Sequence, residues 1–125
     1  MSFITQAARK NALDGMTINY VLLHDGIPGD TGVDNQIAGS EQAITLEAAT
    51  DYQTNDAQRQ PSEDIEYTEL DANQSVTHIS FWEGDPAVDG TFKVWAALTG
   101  DVEANSSGEF TITADNSRIY ASMLT

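Results

Sequence analysis

Residues Ile18 to Gly32 read INYVLLHDGIPGDTG, and this stretch constrains the fold more than any other. Strand-forming residues occupy Ile18 to Leu23, and Asp25, Gly26, Pro28, Gly29 and Gly32 then turn the chain into a loop. A second block, Val76 to Gly84 (VTHISFWEG), has the same grammar of buried strand, aromatic and turn. Neither block sets a nucleophile beside a base, and neither supplies a phosphate-cradling loop or a thiol cluster. The pattern points to a packed β module that binds or builds, not to one that turns over a substrate.

Period-two patterns dominate the rest of the chain. They predict strands at Thr17–His24, Ala43–Glu47, Asp64–Leu70, Val76–Trp82, Thr91–Leu98, Glu109–Ala114 and Arg118–Met123. In the fifth, Phe92, Val94, Ala96 and Leu98 share one face and Thr91, Lys93, Trp95 and Ala97 the other. Phe110 and Ile112 alternate with Glu109, Thr111 and Thr113, and Ile79 shares a face with Phe81. Such alternation marks half-buried antiparallel strands. Phe3 to Asp14 reads as a short amphipathic helix with Ile4, Ala7, Ala8, Asn11 and Ala12 near one face and Gly15 as its stop. Residues 50–64 are polar, broken by Pro61 and nearly free of apolar side chains, which predicts a surface loop. The expectation is one mainly β domain over residues 1–125. It is an antiparallel two-sheet β-sandwich, jelly-roll-like, with a helical segment at 1–15.

At 125 residues such a domain buries about 65–70% of its unfolded surface, enough for a core without disulfide or metal. There is no cysteine, so a thiolate metal site is not available. No apolar run approaches the roughly 20 residues of a membrane span, and the first residues lack a signal-peptide pattern, so a soluble protein folded in a cytoplasm is expected. Twenty Asp and Glu stand against five Lys and Arg, a formal net charge of −15. That balance disfavours nucleic acid and anionic membranes as partners. Disorder is one reading of the acidity, but the 40% hydrophobic content and the alternating strands oppose it. A salt-loving host, whose salt screens carboxylate repulsion, and ordinary acidic surface design both remain open.

The candidate sites each have a plain structural alternative. Asp25, Asp30 and Asp34 could ligate a cation, but their spacing is not that of an EF-hand and solvated turn carboxylates are the default. His78 and Ser80 share a strand face without oxyanion architecture, and His24 and His78 read as histidines bonded at a sheet margin. Trp82 and Trp95 are packing residues first and a carbohydrate platform second. The acidic pairs Glu63/Asp64 and Glu66/Glu69 lie in so acidic a background that they support no glycosidase assignment. No cofactor is expected.

The order of blocks is more specific than any one of them. Ala7-Ala8-Arg9-Lys10-Asn11-Ala12-Leu13-Asp14 precedes Tyr20-Val21-Leu22-Leu23-His24-Asp25-Gly26 and Pro28-Gly29-Asp30-Thr31-Gly32. Asn35 to Ser40, Val76 to Trp82, Ala96 to Thr99 and Gly108 to Ile112 follow. This order resembles a family of small tailed-bacteriophage virion proteins, variously called tail-fibre, minor tail or head-decoration proteins. The resemblance spans most of the chain apart from residues 50–71. Asp25 departs from it, where the family favours Thr, and so does Ser40-Glu41-Gln42, where a Tyr-Ala-Arg-like triplet is common.

The resemblance implies a non-enzymatic virion structural protein, assembled in the host cytoplasm and held by other virion proteins, either major capsid or tail proteins. The first expectation is a capsid-surface decoration or turret component, with the acidity suggesting a virus of a halophilic host. A tail tip or fibre component that engages the host is the alternative, and a carbohydrate-binding β-sandwich the second. A homo-oligomer is expected, with a trimer as the first choice. Phe3, Ile4, Trp95 and Tyr120 are the candidate interface anchors, joined by Arg9 and Lys10, which put two of the five positive charges in one helix.

Overall fold

A computed structural model describes residues 5–99 and 102–120, and among them the chain is mainly β with one short helix. In chain order the elements begin with α1 (Gln6–Asp14), β1 (Tyr20–His24), β2 (Gln42–Ala43), β3 (Thr50–Tyr52) and β4 (Asp56–Arg59). They continue with β5 (Ile65–Tyr67), β6 (His78–Glu83), β7 (Thr91–Ala97), β8 (Phe110–Ile112) and β9 (Ile119–Tyr120). Every strand pairing is antiparallel.

The two apolar blocks of the sequence meet as the centre of the main sheet, whose order is β2-β1-β6-β7. Val21 lies opposite Phe81 and Leu23 opposite Ile79, and β7 continues the rows with Val94 and Ala96. These six side chains form one wall of the core. The other wall comes from a second layer split into two small sheets, β3-β4-β9 and β5-β8. It contributes Ala57, Ile119, Ile65, Tyr67, Phe110 and Ile112. The two-layer expectation holds, with its second layer divided.

One register shift changes a face. Ser80 pairs with Trp95 and Phe81 with Val94, but Trp82 pairs with Phe92, leaving Lys93 as the extra residue of a bulge. The slip carries Phe92 out of the core row and onto the opposite face, where its ring packs on Trp82 at 5.5 Å. Strict alternation had set Phe92 beside Val94, and the bulge is the reason it is not there.

Residues 50–64 are not a loop: β3 and β4 form a hairpin within them. Gln53 and Asn55 turn it with positive φ of 48° and 65°. Ala57 alone carries the hairpin into the core, fully buried. A single small apolar residue leaves too faint a period to read as a strand.

Helix α1 begins at Thr5, whose hydroxyl accepts from the Ala8 amide at 3.1 Å, and it stops at Gly15. Its inward face is polar. Gln6 donates to the carbonyls of Gln53 and Asp56, Arg9 faces Asp56 at 3.9 Å, and Lys10 bonds Asp51 at 2.9 Å. Ala7, Ala8, Asn11 and Ala12, read as one face of an amphipathic helix, are exposed, and only Leu13 is buried. The reason is the surface beneath: an acidic hairpin whose Gln53 and Asp56 carbonyls accept hydrogen bonds attracts cations and amides, not methyl groups. Arg59 closes the junction by donating to the carbonyls of Leu13, Met16 and Glu47, placing a cation at the helix C-terminus.

Two outcomes follow for stability. Phe81 is fully buried between the layers, so Phe81→Ala should lower the unfolding free energy by about 3–5 kcal/mol in a denaturant titration. A loss below about 1 kcal/mol would contradict the packing, since only surface changes are that mild. The five cations balance only a quarter of the twenty carboxylates, so net repulsion dominates the exposed charge. The melting temperature should therefore rise between about 0.1 M and 2 M KCl as screening shortens, and a flat profile would refute that balance.

Candidate functional site

The face of the main sheet turned away from the core is also buried. Leu22, His24, Ser80 and Trp82 each have 4% exposure or less, although none belongs to the core cluster. The cover is the loop that follows β1. The amide of Asp25 bonds the carbonyl of Asn35, and that of Ile37 returns to the carbonyl of Leu23. Ser40 bonds both the amide of Leu23 and the carbonyl of Ile37. Gly32 sits on the Phe92 ring with φ of +74°, where any larger side chain would strike the ring.

A polar chain lies sealed beneath this loop. His24 Nδ1 is 2.8 Å from the Asp34 carbonyl, His24 Nε2 is 2.7 Å from Ser80 Oγ, and Trp82 Nε1 donates to the same Oγ at 2.7 Å. A carbonyl only accepts, so Nδ1 carries the proton and the neutral ring accepts at Nε2. The Ser80 hydroxyl therefore donates to His24 and accepts from Trp82. The histidine and serine stand as close as the first two members of a nucleophilic triad. Here, however, Ser80 has no exposed surface, its oxygen is engaged by the indole, and Nδ1 is held by main chain instead of a carboxylate. The arrangement fixes the loop to the sheet.

The strand-face reading had joined Ser80 to His78. The structure joins it to His24, because Leu22 lies opposite Ser80 and His24 opposite His78 in the register. His78 instead bonds Thr77 Oγ1 at 2.8 Å and meets the Trp95 ring edge-on at 5.4 Å. The contact between His24 and Ser80 spans 56 positions, and the signal that could have found it was the pairing of the two apolar blocks.

The loop displays Asp25, Asp30 and Asp34 at its surface, with Ile27 and Val33 exposed between them. Asp25 lines a cleft of about 550 Å³ shared with Glu41, Glu66, Glu69 and Asp71, whereas Asp30 lines a groove beside β7. No group of three acidic or histidine side chains able to hold a metal exists among the described residues, so the weak cation candidates are not brought together.

Trp95 is half-buried on β7, while Trp82 is sealed, which removes one half of the tryptophan platform. Tyr120 packs on Tyr52 with ring centroids 4.4 Å apart. Arg9 and Lys10 pair with this chain's own hairpin, and Phe3 and Ile4 lie outside the described residues. No helix among the described residues is long and apolar enough to cross a membrane.

A family model described as Podophage GP4 fiber I protein gp80 matches residues 3–119, and the chain belongs to that family. The protein is thus a component of a tailed-phage virion. No curated protein and no solved structure matches the chain. The family is one of fibres, so the capsid-decoration expectation yields to the fibre alternative, and the salt-loving host gains no support from the match.

Burial of the His24 ring lowers its pKa, outweighing the favourable main-chain bond from Asp34. The nearby His78 acts in the same direction as burial, and Asp25 opposes it. The unfolded ring takes a proton near pH 6.5 and the folded one only at lower pH. Between those values the unfolded chain binds more protons, so stability falls as the pH drops from 6.5 through the folded pKa. His24→Asn should be less stable at neutral pH and should lose less than the wild type over that window. Parallel losses in denaturant midpoint would show that His24 is not the group responsible.

Proposed function

We propose that the protein is a non-enzymatic structural component of the tail fibre, binding other virion proteins and helping the particle engage its host. The family match over residues 3–119 carries this reading. The pinned loop agrees with it, since burial of Ser80 and His24 spends their polar groups on rigidity, which an assembling subunit needs. The mechanism is multivalent contact. Copies associate with one another and with neighbouring tail proteins, and each modest interface is multiplied by the symmetry of the particle.

Gold-labelled antibody against the purified protein, applied to intact virions and imaged by electron microscopy, tests the location. Label should gather at the tail. Label distributed over the head would overturn the reading and restore the decoration alternative.

A further inference from the structure

We infer that the free edge of β7 is a self-association surface, on which a second copy of this chain pairs antiparallel about a twofold axis near Trp95. This names the surface for the self-association in the fibre reading and rests on that part of it.

The first observation is an open edge. β7 is the last strand of its sheet, and no main-chain hydrogen bond reaches its outer side among the described residues. Among the described residues it is seven residues long, whereas every other edge strand, β2, β3, β5, β8 and β9, has two or three. A long unpaired strand is a template for another strand. Lysines and bulges usually guard such edges, but Lys93, at the bulge, is turned back onto Glu83 of the neighbouring strand at 3.3 Å.

The second observation is a groove of about 480 Å³ that runs beside the strand. Its walls are Gly29 and Asp30 on the loop side and the consecutive residues Phe92 to Ala97 on the other. Successive strand residues point to opposite faces, so a groove touching all of them follows the edge. Trp95 stands half-buried at its centre.

Charge selects the occupant. Two chains of net charge −15 repel wherever carboxylates face each other. Thr91–Ala97 contains no acidic residue, whereas β3 carries Asp51, β5 carries Glu66, and Glu41 and Glu109 flank β2 and β8. β9 is also free of carboxylates but has only two described residues, so β7 is the longest edge strand without one; Asp30 on the facing loop is the carboxylate beside it. Pairing about Trp95 sets Val94 opposite the second copy's Ala96 and keeps core-facing residues on one side of a continuous sheet. The patch is its own complement, as a twofold interface requires.

Sedimentation of the full chain from about 1 µM to about 1 mM, at low and high salt, tests this. The wild type should form dimers, more tightly at high salt. Ala97→Lys, at an exposed position, should weaken dimerisation by about tenfold or more, as should Trp95→Lys. Ala43→Lys, on the opposite edge strand, should leave it unchanged. Should Trp95→Lys fail to melt cooperatively, Ala97→Lys decides alone. Amide exchange in Thr91–Ala97 should slow in the dimer. A wild type that stays monomeric or forms trimers, an unaffected Ala97→Lys variant, an equal loss in Ala43→Lys, or unchanged exchange along β7 would each overturn the twofold edge. None of these results bears on where gold label falls on the virion.

Discussion

The pairing of β1 with β6 creates the demand that the rest of the molecule meets. Val21, Leu23, Ile79 and Phe81 point to one side, and Leu22, His24, Ser80 and Trp82 to the other, with both sets buried. An antiparallel sheet in a small domain usually leaves one face to water. Here both must be covered, and the chain does so by different means. The core side takes the split second layer, whose apolar residues interdigitate with the sheet. The opposite side takes a loop, which has few apolar residues of its own and is held by hydrogen bonds. That difference explains why a polar chain of three side chains sits on the loop side. Unpaired, those groups would be costly to bury; joined through the Ser80 hydroxyl, each has a partner.

The reach of sequence reasoning follows the same division. The central strands were legible because their apolar runs are long, and Phe110 with Ile112 was legible because alternation is strict there. Phe92 was misplaced because a bulge alters period without altering composition. The β3–β4 hairpin was invisible since Ala57 is its only core residue, and the polar face of α1 was read backwards since amphipathicity assumes an apolar partner. The site was the least legible part. Nothing local distinguishes Ser80 as the partner of His24, which becomes its neighbour only when two strands 56 positions apart align. The order of motifs, by contrast, carried the phage virion family, because order across most of a chain is more specific than any single spacing.

Electrostatics then shapes what the fold can meet. The cations Arg9, Lys10 and Lys93 face this chain's own carboxylates, Arg59 lies 3.8 Å from Asp14, and Arg118 bonds Gln60. These pairs are partly exposed, where water screens the attraction, and they engage the cations within the chain. Arg9 and Lys10 illustrate the consequence. On sequence alone they are candidate interface residues, and in the fold both face carboxylates of the hairpin beneath them. The helix docks inward, and its exposed face carries Ala7, Ala8, Asn11 and Ala12 instead.

A surface so uniformly acidic cannot attract a like copy through charge, and its cations are already engaged within the chain. In the proposed self-association, attraction comes from groups that carry no net charge, and the longest array of them among the edge strands is the main chain of β7. Strand pairing also suits an element built by repetition, since its geometry is set by the backbone and does not depend on matching side chains. The bulge at Lys93 has a part in this. By turning Phe92 under the loop and onto Trp82, it anchors the start of β7 to the covered face and leaves Val94 to Ala97 as the straight, charge-free segment. The irregularity that hides Phe92 from the sequence pattern thus also sets the limit of the straight, charge-free part of the edge on which the proposed pairing rests.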